Sequence, residues 1–297
     1  MIRERLITDK LAGGVSRTLT LLSVFSVLLL GIGLLTRSIP VLRQVPLTEI
    51  LFSTEWKPMK GAFGFAAFIL GTFWVTGIAL MIALPFSLLS AIYISEYAPY
   101  RLRQLIVPLI DLLAGIPPVI YGVWGVLLVI PFIQDHLAPH FVQFSTGYCV
   151  LAGGVVLAIM IVPLIVNILL EVFATVPKEL REASLSLGAT RWETVKKVLL
   201  RRSRPGIIAA VVLATSRAFG ETIAVLLVTG SVVQVPHSVF DAGYPLPALI
   251  AANYGDMLSI PLFDSALMLA ALILFVIIIL FNGVSRLVLY RLEKQMA

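Results

Sequence analysis

Apolar residues gather along the chain into long uninterrupted runs, and the polar positions are confined to the stretches between them. A helix that crosses a bilayer needs about 20 mainly apolar residues. Six runs meet or nearly meet that requirement: 18–36, 65–92, 105–133, 147–170, 206–229 and 263–289. They predict an all-α integral membrane protein with about six transmembrane helices. The first run is longer than the apolar part of a cleavable signal, about 7 to 15 residues, and Arg37-Ser38-Ile39 makes no cleavage site. The chain therefore reads as an N-terminal tail at 1–17, a first transmembrane helix at 18–36, a connection at 37–64, a transmembrane domain over 65–290 and a tail at 291–297.

Three of the connections carry further information. Pro40, Pro46 and Pro58 predict interrupted helix between 37 and 64. The connection 230–262 holds Pro236, Pro245, Pro247 and Pro261 and no Lys or Arg. It is expected at the external mouth of a pathway, dipping back toward the membrane, where irregular backbone survives only if protein or water satisfies it. The loop 173–204 is polar and rich in helix formers, with Pro177 placed to start a helix and Gly188 placed to end one. Leu180, Ala183, Ser184 and Leu187 share one narrow face of that helix. Such a face suits docking on another protein, and it equally suits lying on lipid headgroups.

Composition agrees with a lipid solvent: 59% of the 297 residues are hydrophobic and 13% charged, against about a quarter charged in soluble domains. Positive charge is retained on the cytoplasmic side of short loops. Seventeen Lys and Arg lie in the two tails, at Arg286 just before the second tail, and in the second and fourth connections, whereas the first, third and fifth hold only Arg37, Arg43, Lys57 and Lys60. Both termini are thus expected to be cytoplasmic, and the net charge of +6 is a topology signal. It has no aromatic interleaving of the kind that binds nucleic acid. The lone Cys149 excludes an internal disulfide, and Pro139 between His136 and His140 makes a poor metal pair. The sequence lacks a phosphate-binding loop, His-Glu-x-x-His and Gly-x-Ser-x-Gly, so no enzyme is indicated. The paired interrupted halves of a gradient-driven transporter are also missing.

Glu182-Ala183-Ser184 followed by Gly188, with Val198 and Leu200 beyond, resembles the EAA loop of bacterial ATP-binding-cassette (ABC) import permeases. Arg201 stands where that family commonly has proline. Further stretches are similar to the PstC-like phosphate permeases: Gly71-Thr72, the run from Ala91 to Pro99, the run from Leu112 to Gly122, and the run from Arg217 to Val225. Pro118 replaces the serine usual after Ile-Pro there. The resemblance implies a type I ABC importer permease of MetI-like architecture. Glu182, Ala183, Ser184 and Gly188 would couple it to an ATPase that hydrolyses ATP, with no cofactor bound by this chain. The implied partners are a PstA-like sister permease, two PstB-like ATPase copies and an external PstS-like phosphate-binding protein. Sulfate, molybdate and organic solutes are the alternative cargoes, because specificity in this class resembles a property of the binding protein.

Two features inside the apolar runs carry candidate chemistry. Arg217 and Glu221 interrupt the fifth run, where a charge costs on the order of 3 kcal/mol. Four residues apart on one helix they share a face and can pair. Either they neutralise each other, or Arg217 meets the passing phosphate with two parallel hydrogen bonds while Glu221 competes for it; Thr222 and Thr215 could add hydroxyls. Gly115, Pro117 and Pro118 predict a break or kink in the third run. A half-helix starting near Pro118 would point positive partial charge at the pathway, or the break is a packing kink. Asp111 could pair with a basic residue near the cytoplasmic rim and is assigned no transport role.

Overall fold

A computed structural model of the chain describes the backbone of residues 2–255 and 261–296 and the side chains of residues 12–255, 262–291 and 294. The first helix, α1 (Ile2–Gln44), absorbs the expected tail and runs past Arg37. Pro40 lies inside it, and burial of Ser38, Val41 and Val45 holds its last turns. The side chains of Arg3, Arg5 and Lys10, part of the orientation argument, lie outside the described residues. A short helix α2 (Leu47–Phe52) and an antiparallel hairpin, β1 (Trp56–Lys57) and β2 (Ala62–Phe63), fill the first connection. Helix α3 (Ala66–Ile92) continues through one wide turn, Tyr93–Tyr97.

The expected helix 105–133 is two helices. α4 (Tyr100–Ala114) stops at Gly115, whose amide returns to the carbonyls of Asp111 and Leu112. α5 (Pro118–His140) starts after Pro117 and extends beyond the predicted end at Ile133. Two adjacent prolines cannot supply the amides a continuous helix needs. Among the described residues Asp111 pairs with no basic residue; its Oδ1 accepts a hydrogen bond from Asn167 Nδ2 at 2.8 Å. α6 (Val150–Ala174), α7 (Lys178–Ser186) and α8 (Arg191–Thr194) follow, and a wide turn joins α8 to α9 (Leu200–Phe219). The expected fifth span is divided as well: residues 220–222 are not helical, and α10 (Ile223–Val228) resumes after them. α11 (Leu246–Asn253) and α12 (Pro261–Met296) complete the chain, α12 taking in the expected C-terminal tail up to Met296. Among the described residues five helices are long and apolar enough to cross a membrane unaided. The remaining predicted span is the composite α9–α10.

Small residues set the packing. α3 buries Gly71, Val75, Ala79, Ala83, Ser87 and Ala91, one per turn, and α6 lies along this stripe. A Cβ on Gly154 of α6 would stand 2.4 Å from Ile78 Cγ2, and one on Gly153 2.6 Å from Thr229 Cγ2. Lipid gives little hydrophobic drive for helix association, so backbones approach through small side chains and gain dispersion contacts. α6 also touches α4, α5, α9 and α10.

The far end of the bundle is closed by a second cluster. Trp56 meets Phe63, Phe65, Phe68 and Phe263 edge-on at 5.1–6.0 Å, joining the hairpin to α3 and α12. The connection after α10 folds inward. Carbonyls of Asp241 and Val239 accept from Val150 and Leu151, satisfying amides at the start of α6 that have no helical partner. Leu246 N–H donates to Thr72 Oγ1 at 2.9 Å, and Leu246, Pro247, Ala248 and Leu249 are buried. Protein thus satisfies this irregular backbone; residues 256–260 of the same connection lie outside the described ones.

The Gly154 contact yields a test. Gly154→Val must displace Ile78 and should destabilise the protein by about 1–3 kcal/mol, whereas Gly33→Val, with nothing within 4 Å, should leave it unchanged. Thermal unfolding in detergent checks this: equal midpoints for the two variants would contradict the packing.

Candidate functional site

The end of α9 is pinned on one side and open on the other. Phe219 packs between Phe73 of α3 and Phe281 of α12, with ring centroids 5.6 and 5.8 Å away. Ser216 Oγ donates to Asn282 Oδ1 at 2.7 Å. These contacts turn the opposite stripe of α9, Ala209, Leu213 and Arg217, away from the rest of the chain, and all three are exposed. Among the described residues the Arg217 guanidinium makes no salt bridge and no hydrogen bond. A permanently charged group on an open face of a membrane bundle needs water, a partner chain or a counter-ion against it.

Glu221 does not share a helix face with Arg217. The helix ends at Phe219, Gly220 N–H returns to the Arg217 carbonyl, and Glu221 sits half-buried in the non-helical link. The two charges act on each other through space, without the expected pair. The reason is local: a chain that leaves the helix at Gly220 loses the four-residue periodicity that would stack them. Thr222 Oγ1 donates to the Gly220 carbonyl at 3.1 Å and Thr215 Oγ1 to the Val211 carbonyl at 2.7 Å. Both hydroxyl protons are therefore committed to backbone.

The break at Gly115–Pro117 lies beside this link. A Cβ on Gly122 of α5 would stand 2.6 Å from Leu227 and 3.1 Å from the Ala224 Cα, and one on Gly125 2.9 Å from Val228. α5 and α10 thus run in parallel and in close contact. Pro118 lies one turn before Gly122 on α5, and the non-helical link 220–222 directly precedes α10, so the two interruptions stand at a similar level. The exposed Val119, Ile120 and Ile223 flank them, giving an apolar open face near Arg217.

At the opposite end of α6, the polar loop forms the helix–turn–helix its sequence predicts. Pro177 precedes α7; Gly188, with φ 83°, ends it, and Gly188 and Ala189 amides return to Leu185 and Ser184 carbonyls. Leu180, Ala183 and Leu187 form an exposed face, with Leu187 89% exposed, and Glu182 is exposed beside it. Ser184 is turned inward, its Oγ 2.9 Å from Thr194 Oγ1. Sequence reasoning missed the anchor of this helix. Arg181 Nη2 donates to the Phe173 carbonyl at 2.6 Å and lies 3.3 Å from Glu96 Oε1, both side chains being largely buried. No local signal joins Arg181 to Glu96; the pair exists only once α3 and α6 are packed.

Residues 83–296 match the family described as the binding-protein-dependent transport system inner membrane component. The probable phosphate transport system permease protein PstC of Methanocaldococcus jannaschii is 35% identical over 285 residues, covering 90% of this chain and 90% of that protein. The phosphate transport system permease protein PstC of Xylella fastidiosa is 36% identical over 266 residues, 85% and 82% of the two chains. A solved bacterial alginate ABC transporter, in complex with an alginate-pentasaccharide-bound periplasmic protein, has a chain that superimposes with a TM-score of 0.60 at 15% identity. It covers 86% of this chain and 85% of that one; at that identity the likeness shows the fold alone.

The start of α8 gives a pH test. Thr190 and Glu193 form a reciprocal cap: Glu193 N–H donates to Thr190 Oγ1, and Thr190 N–H donates to Glu193 Oε2. That backbone hydrogen bond, followed by the Lys197 ammonium, pulls the Glu193 carboxyl from 4.5 to about 2. A depressed carboxylate contributes stability that is present above its ordinary value and lost as pH falls through the depressed one. The cap should therefore persist at pH 4 and open only toward pH 2. A carbon-13 titration of Glu193 checks this; a midpoint above 4 would contradict it.

Proposed function

Because this chain belongs to the family of binding-protein-dependent transport inner membrane components, and within it to the PstC phosphate transport permeases, we propose that it forms one half of a pathway for inorganic phosphate in an ATP-driven importer. The observation that carries the reading is Arg217: a cation that makes no salt bridge among the described residues, on an open apolar face, level with two chain breaks. A guanidinium presents two parallel N–H donors to an oxyanion and keeps its charge when water is stripped away. Glu221, near but unpaired, weakens the hold on a passing anion and favours its release. Thr222 shapes the link through its bond to Gly220, and the break at Gly115, Pro117 and Pro118 keeps helix backbone off the same level.

In this reading a PstA-like sister permease covers the open face and completes the pathway. Two PstB-like ATPases engage the loop 173–204, with Glu182, Ala183, Ser184 and Gly188 forming the coupling helix, and a PstS-like binding protein delivers phosphate at the far end. The chain itself binds no nucleotide or other cofactor and is not an enzyme; ATP is hydrolysed by the partner. The basic end and both termini face the cytoplasm, and the protein is a multi-pass component of the cytoplasmic (inner) membrane.

Arg217→Ala should lower phosphate uptake by about two orders of magnitude or more, since a hydrogen bond to a charged group contributes about 1.5–3 kcal/mol and two are lost. Assembly with the partner subunits should be unaffected. Labelled-phosphate uptake by the assembled complex checks this, and a rate near that of the unmodified protein would overturn the assignment.

A further inference from the structure

Arg181 occupies the junction between the exposed α7 and the most extensively packed helix pair, α3 and α6. A single nitrogen, Nη2, contacts both members of that pair. It donates to the Phe173 carbonyl in the last turn of α6 at 2.6 Å and stands 3.3 Å from Glu96 Oε1 in the wide turn that ends α3. A cation at a helix C-terminus is also favoured by the helix dipole. Glu96 is fixed in turn by Ser95 Oγ, which donates to the same oxygen at 2.9 Å. The side chains of Arg181 and Glu96 are only 19% and 15% exposed, so solvent screens this pair far less than an exposed one.

On its other flank α7 is held differently. Ser184 contacts Thr194 hydroxyl to hydroxyl, and Thr194 leads through the wide turn 195–199 into α9, the helix that ends at Arg217. Among the described residues α7 therefore has two polar side-chain attachments: a neutral one toward the helix bearing the candidate anion contact, and a charged one toward the scaffold. Wide turns of the π type mark places where a helix departs from regular geometry, often at functional positions, and one lies next to each attachment. Arg181 Nε is buried without a hydrogen-bond partner among the described residues.

We propose that the Arg181–Glu96 pair is a positioning strut through which displacement of α7 is delivered to the α3–α6 pair. This rests on the reading that α7 is the coupling helix of an ATP-driven phosphate importer. Without the strut, α7 still docks through its exposed face and ATP is still hydrolysed, but the motion is taken up in the loop. The residues touch neither phosphate nor nucleotide; they act through the helices they join.

The test is the ratio of phosphate transported to ATP hydrolysed, measured with labelled inorganic phosphate on the purified full complex in proteoliposomes and normalised to assembled complex. Glu96→Gln and Arg181→Gln should each lower the ratio about tenfold while ATP turnover persists. The double variant should lose no more than either single one, and Arg181→Lys should keep most of the ratio. A ratio unchanged in the single variants, or losses that multiply in the double variant, would overturn the strut. Normalisation removes the effect of lower assembly, which is all that a merely structural role would produce. Failure of the unmodified complex to move phosphate with ATP would instead be failure of the importer reading.

Discussion

Helix α6 can touch α3, α4, α5, α9 and α10 at once because Gly154 lets α3 approach to where an added Cβ would collide with Ile78, and Gly153 lets the end of α10 approach to where one would collide with Thr229. In water such packing would be assisted by expulsion of solvent from apolar surface. In lipid the alternative neighbour is equally apolar, and close contact of small side chains has to supply the difference. Everything that carries chemistry hangs from this pair. α5 stands beside α6 at Gly125, which meets Val156, and beside α10 at Gly122, α9 touches α6, and the polar loop leaves from its end. Their relative positions are only as fixed as the α3–α6 contact.

That rigidity permits what the hydrocarbon interior otherwise forbids. A chain that leaves the helical conformation at membrane depth exposes amides and carbonyls that lipid cannot satisfy. Here the two interruptions, at 115–117 and 220–222, are adjacent and partly self-satisfied: Gly115, Gly220 and Glu221 amides all return to carbonyls of the preceding turn. The result is a level in the bundle where two helices end and two begin, with Arg217 on the open side. A continuous helix would have stacked Arg217 against Glu221 and cancelled the charge. The break keeps the guanidinium out of such a pair, which is the feature the proposed anion contact rests on.

Much of this was legible in the chain. The apolar runs mark the spans because lipid demands them, Pro117–Pro118 marks a break because proline lacks an amide hydrogen, and Pro177 and Gly188 bracket α7 by their backbone preferences. The second break was not. Gly220 alone is a weak signal, and the four-residue spacing of Arg217 and Glu221 pointed to an unbroken helix. Pro40 misled in the other direction, since tertiary burial of Val41 and Val45 carries α1 past it. The Arg181–Glu96 contact joins residues far apart in sequence and follows from tertiary packing, which no periodicity records.

ATP-dependent uptake of labelled phosphate against sulfate, in vesicles holding this chain with the proposed sister permease, ATPase and binding protein, tests the central claim most directly. The account predicts uptake that requires ATP and selects phosphate; uptake indifferent to ATP, or equal for sulfate, would contradict it.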